Sequence, residues 1–344
     1  MATYEVGNYH FDLKRFFPDH VFAAITETRV NSPEVVLQEA AARKRRKRLT
    51  RDGKLTILAA DHPGRMVTRS GSDPIGMCDR QEYLGRVLRV VTHPDVDGIM
   101  ATTDVIEDLF IVNHLVRQGG GPSFLDDKVM LGSMNRGGLS GTSFEMDDTF
   151  TSFSVESIRL LRLDAAKTMF RLELSSADSA KTMLYNAGII SELNRHEIPC
   201  FLEILYVSPE GFKVQKTPAE MMKAIGVASA MGDSSRNLWL KIPFCEDYSR
   251  VVKATTLPLL MLGGESKGDP TGTIGEFVAG LKAGNNVRGA LVGRNILFPG
   301  KDDPLATALA VNRVVHAGAS RDEAVDFLMR SRDINMDALT RHIR

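Results

Sequence analysis

The chain has 344 residues and 43% hydrophobic content, and its 43 Lys and Arg are matched by 43 Asp and Glu. A zero formal charge gives no electrostatic case for nucleic acid or an anionic membrane as partner. Three scattered cysteines (Cys78, Cys200, Cys245) argue against a disulfide framework. With no basic-then-apolar signal at the N-terminus and no apolar run of membrane-span length, the expected compartment is the cytoplasm.

Residues 1–54 precede the first strand-like run and carry a predicted helix over 32–48, ending in Arg43-Lys-Arg-Arg-Lys-Arg48. That run reads either as a nuclear or nucleic-acid arm or as a solvated last helical turn, with cations at the negative end of the dipole. The balanced charge favours the second. Eight short apolar, β-prone runs follow, at 55–60, 97–102, 129–134, 167–174, 199–206, 237–242, 257–262 and 288–293. Their spacing of roughly 33 residues is that of a βα unit.

Gly119-Gly-Gly-Pro122 reads as a loop after the second helix, and Asn135-Arg-Gly-Gly-Leu-Ser-Gly141 as a loop on the functional face after the third strand. Apolar spacing predicts a helix over 178–196, with Asn186-Ala-Gly188 as an interruption. Another is predicted over 304–317, with proline near its start. Eight parallel strands over 55–330 fit a (β/α)8 TIM barrel, preceded by an N-terminal helical extension (1–54) and followed by a tail (331–344). A doubly wound sheet would use fewer strands and leave a second domain to explain.

In such a barrel, chemistry sits at the C-terminal ends of the strands. Lys241 ends the sixth, inside the otherwise apolar stretch Asn-Leu-Trp-Leu-Lys-Ile-Pro-Phe. A buried lysine is costly unless paired or functional, and desolvation lowers its pKa toward a nucleophilic amine. The plain alternative is a lysine capping a strand end beside a carboxylate. Asp61-His62 ends the first strand and Tyr206 the fifth. Gly263-Gly264 ends the seventh and Gly293-Arg294 the eighth. Strand alternation puts Lys241 with Trp239, facing inward; it groups Asp61 with Ile57 and Ala59, and Tyr206 with Leu202 and Ile204.

The glycine pair and the Gly-Arg suit a phosphate, through close backbone N–H groups and a charged fork. His62 is a candidate substrate contact. Glu173 and Glu203 read as strand carboxylates paired to neighbouring cations. No histidine spacing marks a metal site, so no metal and no cofactor are expected.

Leu58-Ala-Ala-Asp61-His62, Leu205-Tyr206, Leu240-Lys241-Ile242-Pro243, Leu260-Met-Leu-Gly-Gly264 and Val292-Gly-Arg-Asn-Ile296 fall in an order and spacing that resembles the archaeal-type class I fructose-bisphosphate aldolases. That group belongs to a wider set of lysine-dependent barrels that includes deoxyribose-phosphate aldolase. The resemblance covers roughly 55–318. It implies a Schiff base on Lys241, proton handling by Asp61 and Tyr206, and a sugar-phosphate substrate whose phosphate is held by Gly263, Gly264, Gly293 and Arg294. It also implies a homo-oligomer.

Departures include Pro63 where the family usually has glycine after Asp-His, and Leu262 before the seventh-strand glycines. The chain most resembles a divergent branch associated with inositol catabolism, which suggests 2-deoxy-5-keto-gluconate 6-phosphate as substrate. The expected activity is metal-independent retro-aldol cleavage of a phosphorylated keto-sugar or keto-sugar acid. The rivals are a thiolase or transaldolase on the same scaffold, or a non-catalytic sugar-phosphate-binding barrel.

Overall fold

A computed structural model describes residues 3–135 and 139–344. Its centre is a closed barrel of parallel strands in sequential order. These are β1 (Leu55–Ala60), β2 (Gly98–Ala101), β3 (Val129–Ser133), β4 (Ala165–Leu172), β5 (Cys200–Tyr206), β6 (Leu238–Pro243), β7 (Leu259–Leu262) and β8 (Val287–Val292). β8 pairs back onto β1, so no edge is left open. Each strand lies within three residues of its expected position. Of the loop expected on the functional face at 135–141, residues 136–138 lie outside the described residues.

Before the barrel come α1 (Leu13–Phe16), α2 (Asp19–Asn31) and α3 (Val35–Ala42). Between and after the strands lie α4 (Arg80–Val91), α5 (Thr103–Gln118), α6 (Val155–Leu160), α7 (Ala177–Arg195), α8 (Pro218–Ser229), α9 (Tyr248–Val251), α10 (Thr271–Ala283), α11 (Arg294–Leu297), α12 (Pro304–Ala317) and α13 (Arg321–Arg330). α12 begins and ends as the sequence predicts, with Asp303 capping its start and Gly318 in the left-handed region (φ 67°) after it. α7 runs unbroken through Asn186-Ala-Gly188, because Asn186 turns its amide onto the Thr182 carbonyl (2.8 Å) and stays buried. Among the described residues no helix is long and apolar enough to cross a membrane. All three thiols are free.

The pleat sorts side chains into two cores. Ile57, Ala59, Met100, Leu131, Ala165, Phe201, Leu260 and Leu291 fill the barrel interior, with Trp239 against them. Alternate residues such as Leu58, Ile99, Met130, Leu202, Leu240 and Met261 pack outward against the helices.

The basic run at 43–48 overturns the helical expectation. α3 stops at Ala42, and Arg43 turns extended (φ −58°, ψ 132°). Arg43 is buried and bonds Asp164 (3.0 Å) and the Lys128 carbonyl; Arg45 takes the other Asp164 oxygen at 2.8 Å. Arg46 reaches Asp97, also at 2.8 Å. Fixed carboxylates near the barrel's N-terminal end win these cations from solvent, so the run is a strap and not a solvated turn.

Arg89 on α4 is fully buried and forks onto Asp303 at 3.0 and 2.7 Å. The same carboxylate accepts the backbone N–H groups of Leu305 and Asp333, so it ties α4, α12 and the tail together. Removing one partner of a buried pair strands the other charge. Asp303→Ala is expected to cost about 3–5 kcal/mol of stability, measured by chemical denaturation. A cost no larger than that of a surface pair, about 1 kcal/mol or less, would mean that Arg89 finds another partner.

Candidate active site

The interior columns of the barrel change from apolar to charged toward its C-terminal end. Past Ile57 and Ala59 comes Asp61; past Ala165 comes Lys167; past Phe201 comes Glu203; past Trp239 comes Lys241. Strand register sets Glu203 directly beside Lys241. All four side chains are buried. The Lys241 ammonium donates to Glu203 Oε2 at 2.9 Å. Lys167 Nζ bridges Glu203 Oε2 and Asp61 Oδ2, each at 3.1 Å. Ser133 Oγ donates weakly to the same Asp61 oxygen, at 3.4 Å.

This chain of alternating charges sets the protonation states. Burial alone would raise both carboxyl groups. The Lys167 ammonium and the Arg65 guanidinium hold Asp61 well below the usual carboxylate range, and Lys241 and Lys167 do the same for Glu203. Burial pulls Lys241 down from the ordinary lysine value and Lys167 adds to the drop, while Glu203 opposes it. The lysine is therefore easier to deprotonate than one in water, and a proton acceptor lies within hydrogen-bond reach.

The two lysines differ in access. Lys241 and Glu203 line a cavity of about 260 Å³ at the barrel mouth. That is roughly nine waters' share of liquid volume, which suits a small polar metabolite. Lys167 is fully buried beneath its two carboxylates. Asp61 belongs to the charge chain but does not line the cavity.

Gly263, Gly264, Gly293 and Arg294 line this same cavity. Their glycines are required by close approach. A Cβ on Gly293 would lie 2.2 Å from His62 Cε1, and one on Gly263 would lie 2.5 Å from Val292 Cγ2. Gly264 has φ +69°. Asn295 pins the turn by donating to the Gly263 carbonyl at 2.6 Å. Arg294 Nε is buried without a hydrogen-bond partner. His62 also lines the cavity; burial and the nearby Arg294 and Arg65 push its pKa down to about 3, so its ring is neutral.

Tyr206 is the correction. The parity that turns Lys241 inward turns Tyr206 outward, with Leu202 and Ile204, and it packs against the helix-side core. Leu205 takes the inward position and lines the cavity. Tyr206→Phe is therefore expected to leave turnover within about threefold, where a positioned proton carrier would contribute about 10²–10⁴-fold. A hundredfold loss in steady-state assay would put the hydroxyl back in the reaction.

Glu203 and Lys167 are the members of the buried charge chain that sequence reading passed over. A signal existed in the alternation of Ala165, Lys167 and Met169, and of Phe201, Glu203 and Leu205. Among the described residues no three His, Cys, Asp or Glu side chains gather to hold a metal ion.

The profile of the Cgl0159-like family matches residues 53–315, nearly the whole barrel. The chain belongs to the Cgl0159-like family. Cgl0159 of Corynebacterium glutamicum is 35% identical, with a TM-score of 0.80 over 88% of this chain and 98% of that one. At lower identity the fold is that of class I fructose-bisphosphate aldolases. A Schiff-base-forming fructose-1,6-bisphosphate aldolase shares 21% identity at a TM-score of 0.55, over 82% of this chain and all of that one. A fructose-bisphosphate aldolase from Slackia heliotrinireducens shares 16% at 0.62, over 94% and 97%. No curated protein matches the chain. The likeness to these aldolases extends to the closed (β/α)8 barrel.

Proposed function

We propose that the chain is a class I aldolase that cleaves a phosphorylated keto-sugar or keto-sugar acid through an imine on Lys241. The observation that carries this reading is the Lys241–Glu203 pair at the floor of a cavity whose rim holds three glycines and Arg294. A lysine kept only for structure has no need of a pocket over its amine.

In this reading the substrate phosphate lies on the glycine backbone and Arg294. Lys241 passes a proton to Glu203 and its free amine attacks the ketone. The attacking nitrogen gives one proton to the ketone oxygen and Glu203 returns another, so that oxygen leaves as water and the nitrogen is left double-bonded to carbon as an iminium. When the adjacent C–C bond breaks, the iminium takes up the electron pair, and the proton of the substrate hydroxyl passes to a base. Glu203 is the carboxylate placed for that role. Asp61 acts through Lys167, holding it against Glu203. His62, being neutral, would orient a substrate hydroxyl.

The finer substrate reading, 2-deoxy-5-keto-gluconate 6-phosphate in inositol catabolism, rests on the aldolase-branch resemblance. So does the expectation of a homo-oligomer, while that of a cytoplasmic protein rests on the sequence signals. Borohydride trapping against a panel of keto-sugar phosphates, with mass mapping of the modified residue and product analysis, tests the proposal. An aldehyde and a ketone released together support the aldolase. Acyl or ketol transfer to a second substrate would assign a thiolase or a transaldolase. No trapped lysine with any ketone would leave a binding barrel.

A further inference from the structure

The 3₁₀ turn after β1 (Pro63–Arg65) delivers a second arginine to the cavity. Arg65 is only 9% exposed, yet its Nε has no hydrogen-bond partner. Its ion pair with Asp61 is stretched to 3.9 Å, beyond hydrogen-bond reach, and Asp61 is held more closely by Lys167 at 3.1 Å. Glu145 is occupied by Arg171 at 2.9 Å. A buried guanidinium with an idle donor is expensive to keep. Its fork matches a carboxylate or a phosphate.

The charge balance points the same way. Arg65, Lys216, Lys241 and Arg294 line the cavity against the two carboxylates of Glu203 and Glu265. Asp61, Glu203, Asp148 and Glu145 favour the charge on Arg65, yet its Nε is left without a hydrogen-bond partner. The two guanidiniums also enter from different places: Arg294 beside the glycine turns after β8, and Arg65 over the Asp61 end of the buried charge chain.

We propose that Arg65 binds a second anionic group, a carboxylate or a second phosphate, on the substrate whose first phosphate sits at Arg294. This rests on the reading of the cavity as a sugar-phosphate site, and it narrows the substrate class to doubly anionic sugars. A simple counter-charge to the buried carboxylates is the rival role for Arg65.

Calorimetry on the full chain with polyol ligands that form no imine separates the two. The probes are a hexitol 6-phosphate, 6-phosphogluconate and a hexitol 1,6-bisphosphate. The unmodified protein is expected to bind one or both of the doubly anionic probes at least about tenfold more tightly than the monophosphate. The preferred probe identifies the second group as carboxylate or phosphate. Arg65→Gln should abolish the preference while leaving monophosphate affinity within about threefold, and Arg65→Lys should restore part of it.

Equal affinity for all three probes in the unmodified protein would overturn the proposal, whatever the variant's fold. So would a uniform loss in Arg65→Gln, which would make Arg65 a counter-charge or a partner of Arg294 on one phosphate. Borohydride trapping is scored separately, so a failure of the imine chemistry and a failure of the second anion site are told apart.

Discussion

Lys241→Met is expected to abolish both turnover and borohydride trapping. Methionine keeps much of the length and volume of the side chain but has no amine. Loss should reach at least about 10⁴-fold, since removal of a covalent nucleophile leaves only binding and polarisation. Lys167 does not take over: it is fully buried, and its ammonium is held by Asp61 and Glu203 at 3.1 Å each, whereas Lys241 opens on the cavity. Mass mapping after reduction should find the substrate on Lys241 alone in the unmodified protein and on no lysine in the variant. Undiminished trapping on Lys167 would move the imine to β4 and end the assignment.

Glu203→Gln should give the next largest effect. The amide preserves shape but cannot carry a proton between the amine and the departing oxygen, so turnover should fall by about 10²–10⁴-fold. A pH signature accompanies the loss. In the unmodified protein the acid limb of kcat/KM follows Lys241, because activity falls as the amine becomes protonated. The Glu203 carboxylate raises that pKa, while burial and Lys167 lower it. Removing the carboxylate leaves the weaker raising influence of Asp61 against burial and Lys167, so the acid limb should move to lower pH as the plateau drops. A limb that stays in place, or moves to higher pH, would show that Glu203 does not govern the Lys241 proton.

The barrel was legible because its signals are redundant. Eight apolar runs at one spacing, a Pro-led helix at 304–317 and a lysine inside an apolar strand all point the same way. The glycine turns at the cavity were legible for the same reason, since Gly263-Gly264 and Gly293-Arg294 stand at successive strand ends. The buried charge chain was less so. Alternation already set Tyr206 with Leu202 and Ile204, the helix-facing set, while family resemblance drew it into the site; parity was the stronger guide. Lys167 and Glu203 looked like ordinary strand charges, because a one-dimensional pattern does not reveal that inward positions on β1, β4, β5 and β6 converge. The strap at 43–48 was misread for a related reason: its partners, Asp97 and Asp164, lie 51 and 119 residues away from the arginines that bind them.

The extension before the barrel has a consequence for synthesis. Tyr4 donates to Asp302, Tyr9 to Asp333, and the Phe11 N–H to the Lys301 carbonyl, across separations of up to 324 residues. The His20 ring meets the Ile343 carbonyl. Residues 4–20 thus complete their docking only once residues 301–343 have been made. Phe11, Phe16 and Phe17, all buried in the finished fold, pack in part on α4, where Arg86 and Arg89 lie over the Phe11 ring and Arg89 over Phe16. Loop closure over such distances is slow.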